Sequence, residues 1–309
     1  MKNLHVPAIC VHEPGGPEKL LLEEIAVPVP EKDQVLIKIV AAGVNPIDWK
    51  TREGLMHYPL PYIPGVEAAG VVMAVGESVF GKKVGDEVYG AIDGAYATCA
   101  VAQSELLFRK PAIWSFEEAA AAGGAKTAWG ALFDVGELKK GQRILIHGAA
   151  GGVGHFAVQL AYHVGAYIIA TASEANMDFV ASLGANEVID YKAVSFETAV
   201  QEVDMVLDTV GGDTTDRSLS VIKPGGVLLC LVQYPDSAKA DEAGVNVAWG
   251  GTKTLVAMRE AHKLLEKGLI KPYVKKVFHG LSSAAEAQEF SKYGRPGRGR
   301  IVLRVSDDR

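Results

Sequence analysis

The most informative segment of this chain is RILIHGAAGGVGHFAVQLA, which extends from Arg143 to Ala161. Its apolar beginning predicts a buried strand, and the apolar residues after Gly154 recur at the spacing of a helix. The start of a helix presents backbone N–H groups without partners, and glycines remove the Cβ atoms that would keep an anion away from them. The segment therefore predicts a strand–turn–helix unit that binds the diphosphate of a dinucleotide. The residues expected to contact the diphosphate are Ala150, Gly151, Gly152 and Val153.

The glycine spacing by itself is weak evidence for a ligand. Gly148, Gly151 and Gly154 follow the pattern G-x-x-G-x-x-G, whereas the standard dinucleotide fingerprint is G-x-G-x-x-G. The alternative is a tight turn that binds nothing. The surrounding sequence favours the dinucleotide, because short apolar strands alternate with helices from 143 to about 270, which is typical of a parallel sheet covered on both faces. The predicted strands are 144–147, 167–171, 187–190, 205–208 and 227–232, and the predicted helices include 154–164, 175–183 and 214–222.

The first 120 residues have a different pattern of apolar segments, which predicts a small, partly open β-barrel. Apolar segments bounded by glycine predict strands at 34–40, 70–76, 86–90 and 96–101, and prolines at 28, 30, 59, 61 and 64 argue against helices. The tail contains a predicted helix, 284–290, and a last strand, 300–305. We therefore predict an α/β chain of two domains: residues 1–120, completed by 272–309, and residues 121–271, which bind the dinucleotide.

Composition excludes several classes of function. Of the 309 residues, 49 % are apolar and 22 % are charged, and the net charge is −6. The positive residues are scattered along the chain and form neither a basic stripe for nucleic acid nor a polybasic membrane anchor. No apolar run reaches the roughly 20 residues that span a bilayer, and no signal peptide is evident. The three cysteines, Cys10, Cys99 and Cys230, lie far apart. We therefore expect a reducing, cytoplasmic location and a small-molecule partner.

The end of the second predicted strand favours NADPH over NADH. NAD-binding proteins commonly carry an acid there, which binds the ribose 2′-hydroxyl, whereas this strand ends at Ser173. A hydroxyl can bind a 2′-phosphate that a carboxylate would repel. Glu174 follows directly and complicates the argument, and no Arg or Lys is adjacent in sequence. Ser173 is also a suitable cap for the next helix, and the two roles are compatible.

Eight segments along the chain resemble a known family. The matching segments are AGVNPID (42–48), IPGVEAAGVV (63–72), VGDEVYG (84–90), KTAW (126–129), AAGGVG (149–154), LGA (183–185), VIDY (188–191) and GRIVL (299–303). They resemble the medium-chain dehydrogenase/reductase superfamily, and within it the zinc-independent quinone oxidoreductase, or zeta-crystallin-like, branch. The resemblance implies a GroES-like β-rich domain, a doubly wound Rossmann domain and a cleft between them. It also implies a homodimer formed at the edge of the Rossmann sheet, by 227–232 or a later segment.

The resemblance also predicts that no metal takes part. Zinc-dependent members carry a Cys and a His where this chain has Asn45 and Val66, and the four-cysteine lobe of the structural zinc is absent. Without a Lewis acid, a carbonyl is hard to polarise, so hydride transfer to a carbon that is already electron-poor is easier. Quinones and α,β-unsaturated carbonyls are substrates of that kind.

The same resemblance assigns roles to individual residues. Asn45 and Thr127 match positions near the nicotinamide, where the Asn45 amide would bond the ribose or a substrate oxygen; the alternative for Asn45 is a turn residue before Pro46. Trp49 stands near a position where related enzymes have a substrate-contacting Tyr, so Tyr62 or Tyr58 would supply the hydroxyl, unless these side chains only pack the loop. The remaining expected cofactor contacts are Ser173, Tyr191, Thr209, Val232, Arg298 and Arg300.

The sequence leaves several alternatives open. The two arginines are also consistent with ordinary surface charge, and Lys126 with either a solvated side chain or one in the active site. The favoured activity is NADPH-dependent reduction of a quinone or an α,β-unsaturated carbonyl. An enoyl-thioester reductase should show a basic patch for the phosphates of its carrier, and the scattered charge gives no sign of one. A protein of a different class would only hold NADPH, as crystallin-like relatives do.

Overall fold

A computed structural model describes residues 5–251, 254–294 and 297–306 of the chain. The chain forms two compact units. The first, which we call the N-terminal unit, comprises Met1–Gly123, Pro272–Pro296 and Arg300–Arg309. The second, which we call the dinucleotide unit, comprises Gly124–Lys271 and Gly297–Gly299. The tail therefore belongs to the N-terminal unit except for the three residues around Arg298.

The strands and helices are numbered here in chain order. The strands are β1 (His5–Cys10), β2 (Leu21–Ala26), β3 (Gln34–Val44), β4 (Glu67–Val75), β5 (Glu87–Ala91), β6 (Cys99–Gln103), β7 (Leu107–Arg109), β8 (Arg143–His147), β9 (Tyr167–Ala172), β10 (Glu187–Asp190), β11 (Val203–Asp208), β12 (Ile222–Cys230), β13 (Asn246–Trp249), β14 (Val274–His279) and β15 (Arg300–Arg304). The α-helices are α1 (Pro46–Arg52), α2 (Phe116–Ala120), α3 (Gly124–Trp129), α4 (Gly154–Val164), α5 (Met177–Ser182), α6 (Phe196–Ala199), α7 (Asp213–Ser218), α8 (Ser237–Ala243), α9 (Leu255–Glu266) and α10 (Ala284–Tyr293).

The N-terminal unit is built on a mostly antiparallel sheet in the order β14-β15-β3-β4-β5-β7, with β6 also paired to β3. The last strand, β15, pairs antiparallel with β3 and places Leu303 opposite Ala42. The side chains of Ile37, Ile39 and Leu303 are fully buried in one core. The tail thus supplies a central strand of this sheet, because β15 lies between β14 and β3.

The dinucleotide unit contains a six-stranded sheet in the order β10-β9-β8-β11-β12-β13, and every neighbouring pair is parallel. Numbered within the unit, this is the order 3-2-1-4-5-6 of the doubly wound dinucleotide-binding fold. The chain reverses its winding between β8 and β11, and ligands bind such sheets at the carboxyl ends of these two strands. The predicted fold class, a β-rich unit with a doubly wound parallel-sheet unit, is confirmed.

Two differences between the structure and the sequence predictions affect the later argument, at β12 and at α1. Residues 227–230 lie in β12, between β11 and β13, so the segment 227–232 is not at the edge of the sheet. The edge strand is the later β13. Helix α1 was not predicted, because Asn before Pro is also typical of a turn. Pro46 occupies the first turn of α1, where proline costs no hydrogen bond.

Among the helices of the described residues, none is both long and apolar enough to span a bilayer.

Candidate active site

The glycine turn after β8 has a conformation that two of its glycines make possible. Gly148 has a φ of 66°, and a Cβ there would lie 2.5 Å from Oγ1 of Thr209. A Cβ on Gly154 would overlap the carbonyl oxygen of Gly148 and lie 2.8 Å from the Cα of Ala149. A larger residue at position 154 would push α4 away from the end of β8, and one at position 148 would strain the backbone and collide with Thr209. Gly154 is therefore needed for the close approach of α4 to β8, and Gly148 for the turn between them.

The same turn leaves backbone donors available. Within the described ranges, the N–H groups of Ala150, Gly152 and Val153 donate to no protein acceptor, whereas the N–H of Gly151 donates to the carbonyl of Gly148 at 2.9 Å. A Cβ on Gly151 would meet only that carbonyl oxygen, at 3.1 Å, so this side of the turn is open. Unpartnered donors beside open space at the start of a helix fit an anionic diphosphate. Three of the four residues predicted to contact the diphosphate thus have an available backbone donor, and the contact itself stays a prediction.

His155 helps to hold the turn, and the sequence analysis missed it. Its Nδ1 lies 2.7 Å from the carbonyl oxygen of Gly151. Burial lowers the pKa of His155 to about 4, so the ring is neutral at pH 7 and Nδ1–H donates to that carbonyl. A histidine directly after the last glycine of the turn was the only signal in the sequence, and it did not distinguish this role from core packing.

Other predicted cofactor residues lie at the carboxyl ends of the strands. Thr209 follows β11 and donates to the carbonyl of His147 at 2.8 Å. Val232 follows β12, and its Cγ1 would lie 2.6 Å from a Cβ on Gly211. The N–H of Tyr191 donates to the carbonyl of Ala172 at 3.2 Å, which places this tyrosine at the end of β9. Thr127 and Lys126 lie on α3, and both are half-buried.

Ser173 acquires a cationic neighbour that is distant in sequence. Nδ2 of Asn176 donates to Oγ of Ser173 at 2.9 Å, and Nε of Arg298 donates to Oδ1 of Asn176 at 2.9 Å. A second guanidinium nitrogen of Arg298 donates to the carbonyl of Ala175. Arg298 is exposed. A hydroxyl, an amide and an exposed guanidinium therefore lie together at the end of β9, although no Arg or Lys is adjacent to Ser173 in sequence.

The N-terminal unit buries a second polar cluster around Asn45. Nδ2 of Asn45 donates to Oε1 of Glu67 at 2.9 Å, and the guanidinium of Arg300 donates to Oδ1 of Asn45 and pairs with Glu67. Arg300 is only 7 % exposed and Glu67 only 4 %. Burial lowers the pKa of Arg300 to about 10, so it stays charged at pH 7. This differs from the prediction that Arg300 reaches a cofactor phosphate, because its charge is already compensated by a buried carboxylate.

Asp48 and two tyrosines adjoin this cluster. Oδ2 of Asp48 accepts from the N–H of Asn45 at 2.8 Å and from the hydroxyl of Tyr96 at 3.1 Å. Among the residues described, the buried hydroxyl of Tyr62 has no hydrogen-bond partner. Burial, and then the charge of Asp48, raise the pKa of Tyr62 to about 12. Tyr62 therefore keeps its proton at neutral pH and remains able to donate it.

Asp48 should make stability depend on pH. Burial raises the pKa of Asp48 from 3.8 to about 6, against the opposing effect of its hydrogen bonds. The native state then binds this proton more tightly than the unfolded state, so its contribution to the free energy of unfolding is largest below about pH 4 and is lost as the pH rises through 6. The expected loss is about 3 kcal/mol. Replacement of Asp48 by Asn removes this titration. As the pH rises between these values, the free energy of unfolding of the wild type should therefore fall relative to that of the variant. Chemical denaturation across this range measures the difference, and a pH-independent difference would contradict the assignment.

The residues do not fit a zinc ion. Over the described positions, no group of three or more His, Cys, Asp or Glu side chains is arranged to hold a metal. Asn45 is engaged by Glu67 and Arg300, and Val66 has no ligating atom. The three cysteines are all buried. We therefore derive no chemical step through a metal.

Comparison with known proteins agrees with the fold described above. Residues 31–168 match the alcohol dehydrogenase GroES-like domain, and residues 183–303 match the zinc-binding dehydrogenase family. The quinone oxidoreductase of Mus musculus is 32 % identical over 96 % of this chain and 97 % of its own length. The 2-methylene-furan-3-one reductase of Solanum lycopersicum is 42 % identical over 70 % of this chain and 60 % of its own length. The chloroplastic NADPH-dependent alkenal/one oxidoreductase of Arabidopsis thaliana is 39 % identical over the same shares.

Solved structures give the same result. The quinone oxidoreductase from Coxiella burnetii superimposes with a TM-score of 0.87 and 31 % identity, over 98 % of this chain and 100 % of that one. A mycobacterial protein solved in complex with NADPH gives 0.87 and 31 %, over 96 % and 99 % of the two chains. The CurK enoyl reductase gives 0.87 with 27 % identity, over 97 % and 99 %.

The fold and the open glycine turn define an oxidoreductase that uses a nicotinamide cofactor and acts on a small molecule. The chain belongs to the medium-chain dehydrogenase/reductase superfamily, and within it to the quinone oxidoreductase branch, so the resemblance seen in the sequence is confirmed.

Proposed function

We propose that this enzyme transfers a hydride from NADPH to a quinone or an α,β-unsaturated carbonyl compound without a metal. The observation that carries the proposal is an open glycine turn with unpartnered backbone donors, in a chain whose described residues offer no metal-binding group. The names of the mouse and Arabidopsis relatives support the same substrate classes.

The dinucleotide unit would hold the cofactor by its backbone. The free N–H groups of Ala150, Gly152 and Val153 bind the diphosphate, assisted by the partial positive charge at the start of α4. Thr127, Tyr191, Thr209 and Val232 remain the proposed contacts along the rest of the cofactor. When bound, the nicotinamide supplies the hydride.

The N-terminal unit would stabilise the charge that develops on the substrate. As hydride adds to the electron-poor carbon, the electrons of the conjugated system move to the substrate oxygen, which becomes an oxyanion. The proposed donors to this oxygen are the Asn45 amide and the Tyr62 hydroxyl, and a preorganised donor is worth more in a site that excludes water. The anion then takes a proton from Tyr62 or from water, and it leaves as the reduced carbonyl compound or hydroquinone.

The group formed by Ser173, Asn176 and Arg298 supports NADPH as the cofactor. The 2′-phosphate carries the charge that distinguishes NADPH from NADH. Two atoms of the Arg298 guanidinium are used within the protein, and its remaining N–H groups are available to a phosphate because the side chain is exposed. The adjacent Glu174 is exposed as well. Among the described residues, it forms no hydrogen bond or ion pair with Ser173, Asn176 or Arg298.

Two further properties stay predictions. A homodimer would form through strand β13, which is an edge of the parallel sheet. The cytoplasmic location rests on the three unpaired, buried cysteines.

An assay of NADPH consumption tests the proposal against its alternatives. The absorbance of NADPH is followed with a quinone, an alkenal, an enoyl thioester or no substrate. We expect turnover with the quinone or the alkenal, at a rate that a strong chelator does not change. Preference for the thioester would favour the activity named for CurK, and NADPH binding without turnover of any substrate would favour a binding protein. Loss of activity on chelation, restored by zinc, would contradict the metal-free mechanism.

A further inference from the structure

The side-chain amide of Asn45 is held in a single orientation. One edge of the amide meets the carboxylate of Glu67, which only accepts hydrogen bonds, and the other meets the guanidinium of Arg300, which only donates them. Rotation of the amide by half a turn would put its oxygen against the carboxylate and its NH₂ against the guanidinium. Both neighbours oppose that arrangement. The two charged residues therefore fix which atom of Asn45 faces which partner.

The carboxylate of Glu67 is itself enclosed by two glycines. A Cβ on Gly43 would overlap Oε1 of Glu67, and a Cβ on Gly123 would overlap Oε2. Alanine at either position would displace the carboxylate from the Asn45 amide. The guanidinium and the carboxylate are both more than nine-tenths buried, and they neutralise each other. The cluster is thus a rigid support that has little access to water.

One hydrogen of the amide remains unused. Oδ1 of Asn45 accepts from Arg300, and one Nδ2–H donates to Glu67, while Nδ2 has no second acceptor among the described residues. Asn45 itself is only half-buried, in contrast to its two supports. The group that Asn45 can offer to a ligand is therefore an N–H donor and not a carbonyl.

We propose that Glu67 and Arg300 are positioning residues for Asn45, which they hold so that one Nδ2–H is presented to an acceptor oxygen of the bound ligand. The inference rests on the proposed function, which supplies two such oxygens: the substrate oxygen that becomes an oxyanion, and a hydroxyl of the cofactor ribose. Neither supporting residue touches the ligand. Their effect on the reaction passes through the Asn45 amide.

Four proteins test this dependence: the wild type, Asn45→Ala, Glu67→Gln and the double variant. Removing one oxyanion donor typically lowers the rate on the order of 100-fold, and we expect Asn45→Ala to lower kcat/KM by at least about 10-fold. Glu67→Gln should cause a similar loss in the wild-type background and less than about a twofold loss in the Asn45→Ala background, because it acts through an amide that is no longer present. Losses that multiply in the double variant, or no loss from Glu67→Gln alone, would overturn the proposal.

The same proteins identify the oxygen. If the N–H binds the substrate oxygen, kcat falls and the affinity for NADPH does not change. If it binds the ribose, the Kd of NADPH rises and kcat at saturation is retained. Either result supports the positioning role.

Glu117→Gln is the matched control. Glu117 forms an ion pair with Arg304, which lies on the same strand as Arg300, and neither contacts Asn45. We expect its kcat/KM to stay within about twofold of the wild-type value, as for substitutions that are distant from the site.

A measurement without turnover separates this inference from the proposed function. In the nuclear magnetic resonance spectrum of the ¹⁵N-labelled, ligand-free protein, the two Nδ2 hydrogens of Asn45 are assigned by their absence in Asn45→Ala. We expect one hydrogen to be shifted downfield by the carboxylate and to exchange slowly with water, while the other exchanges fast. Two hydrogens that exchange alike would overturn the inference even if the enzyme reduces quinones. If the two hydrogens differ as expected but the protein reduces no substrate, the inference is supported and the proposed function is refuted. If Glu67→Gln does not fold, the wild-type spectrum decides.

Discussion

Replacement of Gly151 by valine is expected to weaken NADPH binding about 100-fold or more, with little change in the melting temperature. The open side of the glycine turn explains both parts of this result. A Cβ at position 151 meets only the carbonyl oxygen of Gly148, at 3.1 Å, so the fold should accommodate the side chain after a small shift. The branched side chain would then occupy the space in front of the unpartnered N–H groups of Ala150, Gly152 and Val153. Loss of two hydrogen bonds to a charged group is worth about 3 kcal/mol or more, which corresponds to about 100-fold in Kd.

Gly154→Val is the informative comparison. At that position the Cβ would overlap a backbone carbonyl, so the variant should lose stability as well as affinity. Titration of protein fluorescence with NADPH gives the Kd, and thermal unfolding without ligand gives the melting temperature. Wild-type affinity in Gly151→Val would show that the diphosphate does not lie against this turn. An equal loss of stability in both variants would show that position 151 is not open.

Arg298→Ala is expected to weaken NADPH binding about 10- to 100-fold and to leave NADH binding within about twofold. The estimate is the loss of one hydrogen bond between charged groups, about 1.5–3 kcal/mol. The guanidinium lies against Asn176 and Ala175, next to Ser173 at the end of β9. NADH has no 2′-phosphate at this place and should not depend on the charge. The preference for NADPH should also decline as the salt concentration rises, because the side chain is exposed.

Arg143→Ala provides a matched control for the loss of a positive charge. Arg143 is the first residue of β8, at the amino edge of the same parallel sheet, and its guanidinium packs 4.8 Å from the ring centre of Tyr167. We expect this variant to retain the wild-type ratio of the two affinities. An equal loss of NADH affinity in Arg298→Ala would mean that Arg298 supports the loop rather than the phosphate.

The glycine turn and the parallel sheet could be predicted from sequence because their determinants are local. The strand, the turn and the helix between Arg143 and Ala161 follow one another directly, and the apolar character of each strand reports its burial. The same reasoning failed at α1. Asn45 before Pro46 suggests a turn residue, whereas Pro46 lies in the first turn of α1, where proline is favoured.

The contacts that define the candidate site were not predictable, because they join residues that are far apart in sequence. Arg298 and Asn176 are separated by 122 positions, and no Arg or Lys is adjacent to Ser173 in sequence. Arg300 was expected at a phosphate, but its guanidinium is buried against Glu67 and Asn45. The pairing of β15 with β3 brings Arg300 to this place. Periodicity and spacing carry no information about such a contact.

The position of β15 within its sheet has a consequence for biosynthesis. The ribosome makes Arg300–Arg304 after every other strand of the described residues, although this strand lies between β14 and β3. Until β15 is made, residues 41–44 of β3 therefore lack a partner on one side, since β6 covers only residues 34–38 there, and such an open edge is a template for association with other chains. The dinucleotide unit, by contrast, has all its strands between Arg143 and Trp249. Because the chain is made from its amino end, the dinucleotide unit should be able to complete its sheet before β15 is available to the N-terminal unit.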